Sequence, residues 1–457
     1  MLNFKNGNHF KLGLITIVLS FSVIAGFTST TSQAGSMQNA NDQEDKIKKF
    51  DSALTAYRKN LEDKNELEVA KNLIFPEEVS DELRNLVAKL KIAQFRLYKS
   101  AVKKLGKDWI SKSKYPIPGE LRIFDFIVNY EKKQLEDDEN FELRSSGQYS
   151  YVYALKHSTT FILRKQNEKL FVLASQYYTK NNNEKQLDFI VDRIKAYKKA
   201  RKYLKKNKKP SLKKILIKIS KPISKYFNFK QNIIKVDLSS PKNALLSYRK
   251  SLKSGDPTNC AYSSLSTGDD LLSIYTFNCF SKMYCNFLKF EKKWKTKFSS
   301  TPDFSNPRNF RLDSLSKLSN ASITDDEIRF YKRRQIPCAK ICGFKFHKHN
   351  NKWFIRPPVD PDGLRSINIL FAEMILQLAK TLEDFTKKLD EENIDKNQLK
   401  KDLYQSFKKA KENFRAKCRE IRKKFREDSS SIESNSIKKA KRAKRIMRRR
   451  KIKKPIK

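Results

Sequence analysis

Apolar positions recur at three- and four-residue steps through several long stretches of the chain and alternate through two short ones. The first pattern predicts amphipathic helices and the second half-buried strands, because side chains return to one face about every 3.6 residues in a helix and about every two in a strand. Phe50, Ala53, Leu54, Tyr57 and Leu61 give a first helix one apolar face. Leu83, Leu86, Val87, Leu90, Phe95, Leu97, Val102 and Leu105 do the same over 80–105, behind the capping run Ser80-Asp81-Glu82. Pro116-Ile117-Pro118-Gly119 ends that period, and 124–130 reads as a short helix. Tyr149, Tyr151 and Tyr153 then alternate with smaller residues, and 161–165 and 169–173 form a hairpin about Gln166-Asn167-Glu168. A helix over 185–204 follows.

The order then returns. A helix opens behind Ser239-Ser240-Pro241, a cap followed by a proline where the first turn tolerates one. The next spans 269–295 and carries Leu271, Leu272, Ile274, Phe277, Phe280, Phe287 and Phe290, and 299–320 is loop-like. A second hairpin covers 344–355. Beyond Pro357-Pro358 come helices over 364–388 and 396–425, the last with an apolar stripe from Leu399 and Leu403 through Phe407 to Phe425. That stripe suits packing on the preceding helix or on a partner helix through 396–427.

Two anchors tie the halves together. Ala53-Leu54, Tyr57-Arg58-Lys59 and Leu61 return as Ala244-Leu245, Tyr248-Arg249-Lys250 and Leu252, 191 positions later. Phe161, Asn167, Lys169 and Phe171 return as Phe344, Asn350, Lys352 and Phe354, 183 positions later. An insertion or deletion between the anchors absorbs the difference, and duplication of one unit explains both.

Two N-terminal helices, a loop-rich middle and a closing hairpin, with Ser240-Pro241, Ala244-Leu245, Tyr248 and Gly255-Asp256 opening the second unit, resemble the nuclear transport factor 2-like superfamily. The resemblance covers about 45–182 and 236–358. It implies an α+β fold: two tandem cystatin-like domains, each with helices packed on a curved antiparallel sheet, plus a long helical C-terminal extension. Relatives include ketosteroid isomerase and SnoaL-type proteins, whose cone-shaped pocket in some cases holds a ligand. No acid-base pair of such enzymes matches position by position here, so no catalytic residue is carried over.

Charge changes this picture more than composition does. The chain of 457 residues has 98 Lys plus Arg against 50 Asp plus Glu, a formal net charge of +48, which makes polyanions its natural partners. Lys5 and Lys11, the apolar run 12–27 and Ser32-Gln33-Ala34 have the three parts of a secretory signal, predicting an exported protein, or one anchored by 12–27 if the signal is kept. All six cysteines lie at or after Cys260, where export would permit disulfides. Cys338, Cys342, His347 and His349 offer metal-ligand chemistry at a spacing that is not a standard zinc pattern, so they are read as ordinary strand residues.

Two basic segments stand out. From Arg193 to Lys235 there is no acidic residue; Lys198, Lys199, Arg201, Lys202, Lys205 and Lys206 lead a run whose later part interleaves Ile215, Leu216, Ile219 and Ile223 with lysines. Such a stretch suits an anionic membrane surface, a nucleic acid, or a solvated linker. The tail from 437 to 457 holds Lys438, Lys439, Lys441, Arg442, Lys444, Arg445, Arg448, Arg449, Arg450 and Lys451 with no acid and no aromatic, which predicts sequence-blind, salt-sensitive contact with phosphates or other anions.

The expected organisation is a signal peptide (1–34), a linker (35–44), a first domain (45–205), a basic linker (206–235), a second domain (236–362), a helical extension (363–427) and a basic tail (428–457). The function this favours is an exported, non-catalytic binding or scaffold protein that contacts anionic partners, with no cofactor and no metal. The alternatives are an isomerase- or dehydratase-like enzyme with a cone pocket, and a secreted effector whose tail is a nuclear address.

Overall fold

A computed structural model describes residues 40–75, 78–129, 183–264, 270–300, 344–349, 351–356 and 365–423, the strands within 141–173 and 329–341, and a few single positions beside them. The expected signal segment (1–34) and the basic tail lie outside the described residues. The first helix, α1 (Ala40–Glu62), buries Phe50, Leu54, Tyr57 and Leu61 as the spacing requires. A short α2 (Glu66–Lys71) leads into β1 (Leu73–Ile74). Helix α3 (Asp81–Leu105) starts where the Ser80 hydroxyl accepts the Leu83 N–H at 3.2 Å, and ends at Gly106, whose φ of 91° suits a residue without Cβ. Then come α4 (Gly119–Asn129), β2 (Phe141–Ser146), β3 (Tyr149–Ala154), β4 (Thr159–Gln166), β5 (Lys169–Leu173), α5 (Asn183–Lys206) and α6 (Leu212–Tyr226).

The second half runs α7 (Pro241–Lys253), α8 (Pro257–Tyr262), α9 (Asp270–Phe298), β6 (Arg329–Arg333), β7 (Ile336–Ile341), β8 (Phe344–His349), β9 (Lys352–Ile355) and α10 (Arg365–Lys388), and closes with α11 over 396–423. The first sheet has the order β1-β5-β4-β3-β2 and the second β6-β7-β8-β9, each an antiparallel meander apart from the parallel β1–β5 edge.

The expectation of two cystatin-like domains is corrected by these elements. The chain is mainly helical, with small sheets and not a curved sheet wrapped about the helices. Its long helices run 23 to 29 residues, whereas its strands run two to eight. Helix packs on helix, α3 against α5 and α9 against α10, and one continuous apolar core runs from Phe50 to Ala410. The physical reason lies in the side chains of the long helices. Val87, Leu90, Phe287, Phe290 and Trp294 are buried at helical spacing, and they present more apolar area than the short strands can cover. Alternation in the hairpins specifies strands but not how far a sheet extends.

The same elements recur at fixed separations. Glu66 opens α2 and Pro257 opens α8, 191 positions apart. Leu73 pairs in parallel with Val172, and Ser264 forms an isolated parallel bridge with Ile355, at the two offsets of the sequence anchors. Helices α5 and α10 begin and end 182 positions apart, and the Lys214 N–H on Ser211 and the Gln398 N–H on Asp395, 184 apart, cap the helices that follow. In this arrangement α10 and α11, read from sequence as an extension, occupy in the second half the positions of α5 and α6 in the first.

Candidate polyanion-binding surface

The acid-free segment forms a helical hairpin. On α5, Ile190, Tyr197, Ala200 and Leu204 are buried against α3, and Lys195, Lys198, Lys199, Lys202, Lys205 and Lys206 are exposed. Arg201 is half-buried; desolvation and the nearby Arg96 guanidinium lower its pKa, so two cations meet there. The turn continues with exposed Lys208 and Lys209. Ser211 caps α6, which buries Ile215, Leu216, Ile219 and Ile223 and exposes Lys213, Lys214, Lys218, Lys221 and Lys225. Phe189 stacks on Tyr226 with centroids 4.2 Å apart and joins the two helices. The apolar stripe that could have dipped into a membrane surface is therefore spent on packing. What faces outward is mainly cationic, with Ile217 exposed among the lysines and Asp192 3.8 Å from Lys225 as a counter-charge.

Beneath this surface sits a buried ionic cluster that the sequence reading missed. Arg193 Nη2 donates to both Glu120 carboxylate oxygens at 2.6 and 2.7 Å, the Tyr197 hydroxyl donates to Oε1 at 2.5 Å, and Gln94 Nε2 donates to Oε2. Arg193 Nη1 donates to the Tyr178 hydroxyl at 3.4 Å. Burial opposes ionisation of Glu120, but the charges of Arg193 and Lys91 and the hydrogen bonds from Tyr197 and Arg193 outweigh it and hold its pKa below the usual carboxylate value. The cluster ties α3, α4 and α5 together, so it positions the helix that carries the lysines. Glu120 follows a Pro-Gly break and Arg193 comes 73 residues later; no local spacing relates them, and only the presence of an arginine on the apolar side of α5 hints at a buried partner.

The corresponding turn of the second half has the opposite sign. Asp390, Glu391, Glu392 and Asp395 occupy it, and α9 grips it: Lys293 Nζ lies 2.7 and 2.6 Å from the Asp390 carboxylate, and Lys297 Nζ donates to the Leu389 carbonyl at 3.0 Å.

Other candidate chemistry is sparse among the described residues. Cys338 and His347 stand opposite each other on β7 and β8, Cys342 lies outside the described residues, and no described group of three or more ligand-type side chains could hold a metal. The five described cysteines form no disulfide with one another, and burial pushes Cys279 up to about 11. A cleft of about 260 Å³ beside α1, lined by Asp51, Leu54, Arg58, Glu62 and Ile127 among others, is at the small end for a ligand site. In the repeated motif Tyr57 and Tyr248 are buried and Lys59 and Lys250 exposed. No described helix is long and apolar enough to cross a membrane. No protein-family model, curated protein or solved structure matches the chain.

Proposed function

We propose that the protein is an exported, non-catalytic binding or scaffold protein that holds anionic polymers electrostatically, through the α5–α6 hairpin and the basic tail. The observation that carries this is the turn between the two helices. Lys205, Lys206, Lys208 and Lys209 are exposed there, on a hairpin whose Tyr197, Ala200, Leu204, Ile215, Leu216, Ile219 and Ile223 are buried in the core. Cations fixed on packed helices lose less entropy on binding than cations on a free chain. The signal-like 1–34 segment supports export.

Binding of labelled inorganic polyphosphate across a salt series tests the reading. Affinity is expected to fall linearly on a log–log plot, and Lys→Gln replacement at 205, 206, 208 and 209 to reduce the slope by about 3, since each released counterion contributes about 0.7–0.9. Salt-independent binding, or an unchanged slope in the four-fold variant, would refute it.

A further inference from the structure

The two edges of the second sheet differ. On the β9 side the Trp353 N–H donates to the Leu238 carbonyl at 2.7 Å and Ile355 bridges Ser264, so that edge is covered. On the other side β6 is the outermost strand, and among the described residues it pairs only with β7. The chain is held where it enters β6: Ile328 packs against the core, and Asp325 lies 3.3 Å from Lys242 of α7. An outermost strand directs part of its backbone N–H and C=O groups away from its sheet, which makes it a template for one more strand.

The side chains of β6 define what that strand must carry. Alternation puts Arg329 and Phe330 on opposite faces. Arg329 stands opposite Lys340 and Lys340 opposite Lys345, and Arg356 extends the row because its N–H donates to the Lys345 carbonyl at 2.8 Å. Four cations thus cross the strands in one line, about 4.8 Å from each to the next. Arg329, at the open end, is exposed. Like charges directly opposite one another weaken a sheet, so a carboxylate in the next place offsets a cost that the row carries. Phe330 stands opposite Ala339 on the apolar face, its ring centre 6.0 Å from that of Trp353, and is still 65% exposed. An apolar side chain in the next place on that face covers it.

A second copy of β6 fits poorly. Arg329, Lys332 and Arg333 fall within its five residues, so antiparallel pairing of the strand with itself about Tyr331 sets Arg329 against Arg333. Parallel pairing in register sets each cation against its own kind. The complementary strand is acidic on one face and apolar on the other. We propose that the β6 edge binds an extended acidic peptide by strand addition, with main-chain hydrogen bonds to β6, a carboxylate facing Arg329 and an apolar side chain covering Phe330.

Fluorescence anisotropy of the full chain with a labelled peptide of four Glu-Val repeats tests this, beside a peptide of four Glu-Gly repeats, which has the same charge and no apolar face. The Glu-Val peptide is expected to bind about fivefold or more tighter. Methylating either its valine or its glutamate amide nitrogens is expected to cost about tenfold or more in at least one of the two forms, because main-chain bonds to β6 are lost. Arg329→Glu is expected to weaken binding about fivefold or more and Phe330→Ala about threefold. Arg329→Lys and Phe330→Leu should retain affinity, which separates these contacts from a general loss of fold. The losses should persist when Lys205, Lys206, Lys208 and Lys209 are all glutamine, so this edge and the hairpin can fail separately. Equal binding of the two peptides, or full affinity in both methylated forms, overturns the proposal, since the peptide is then held only as a polyanion. Wild-type affinity in both Arg329→Glu and Phe330→Ala overturns it too. So does a wild-type dimer in sedimentation velocity that Phe330→Ala dissociates, which gives the edge to a second copy.

Discussion

At position 193 of α5 a buried arginine meets a glutamate; at 375 of α10, 182 positions later, a buried isoleucine meets other apolar side chains. The neighbours differ in the same sense, Tyr197 against Ala379, while Gln186 and Asn368 keep a buried polar residue near the start of each helix. The turns that follow differ as well, lysines in the first half and carboxylates in the second. One helical frame therefore tolerates an ionic or an apolar seam beneath it, and what is displayed at its tip is set independently of what holds it. A buried ion pair is seldom more stabilising than good apolar packing, so the difference inside bears on how α5 is located and the difference outside on what the hairpin attracts.

The largest expected effect comes from breaking the ionic seam by halves. Glu120→Leu or Arg193→Ile alone leaves a buried charge without its partner and is expected to cost about 3–5 kcal/mol in chemical denaturation. Glu120→Leu, Arg193→Ile and Tyr197→Phe together replace the ionic seam by an apolar one and should regain most of that. A triple variant as unstable as the singles would show that the two seams are not interchangeable. A smaller effect follows from pH. Because Glu120 titrates in the folded protein below its ordinary value, its contribution is fully present above about the unfolded value of 4.5 and is lost as pH falls through the lower folded pKa. Melting temperatures measured from neutral to acid pH should therefore fall more steeply for the wild type than for the triple variant. The smallest effect concerns the caps. Ser211→Ala and Asp395→Ala each remove an acceptor for the first turn of α6 or α11 and should each cost about 1 kcal/mol. Very unequal costs would mean that one of the two helices is not held by its cap.

Helices were legible in the sequence because their apolar faces are long enough for a period to accumulate: α1, α3, α9 and α10 lie where Phe50, Leu83, Phe277 and Phe371 place them. Both hairpins were legible too, since the strands pair about short polar gaps after Gln166 and His349, as the alternation on either side predicts. The extent of the sheets was not, because alternation over four to eight residues is the same in a small meander and in a sheet that encloses helices. Nor was the pairing of α10 and α11 with α5 and α6, since their matching runs through burial and caps and hardly at all through residue identity. The cation row was encoded but unread: once the turns at 333–336, 341–344 and 349–352 are known, Arg329, Lys340, Lys345 and Arg356 fall into line, and without them the four are only scattered charges.

The bond from Arg122 Nη2 to the Ser264 carbonyl, 3.0 Å long, has a bearing on how the molecule can be divided. Ser264 is the residue whose bridge to Ile355 closes the second sheet against its short helix, and the Lys114 carbonyl likewise accepts the Val236 N–H across the halves at 3.1 Å. Each half thus supplies a hydrogen-bond partner to the other's backbone. An excised half would carry frayed edges where the other half supplied a donor or an acceptor, and the two halves are expected to melt in one transition.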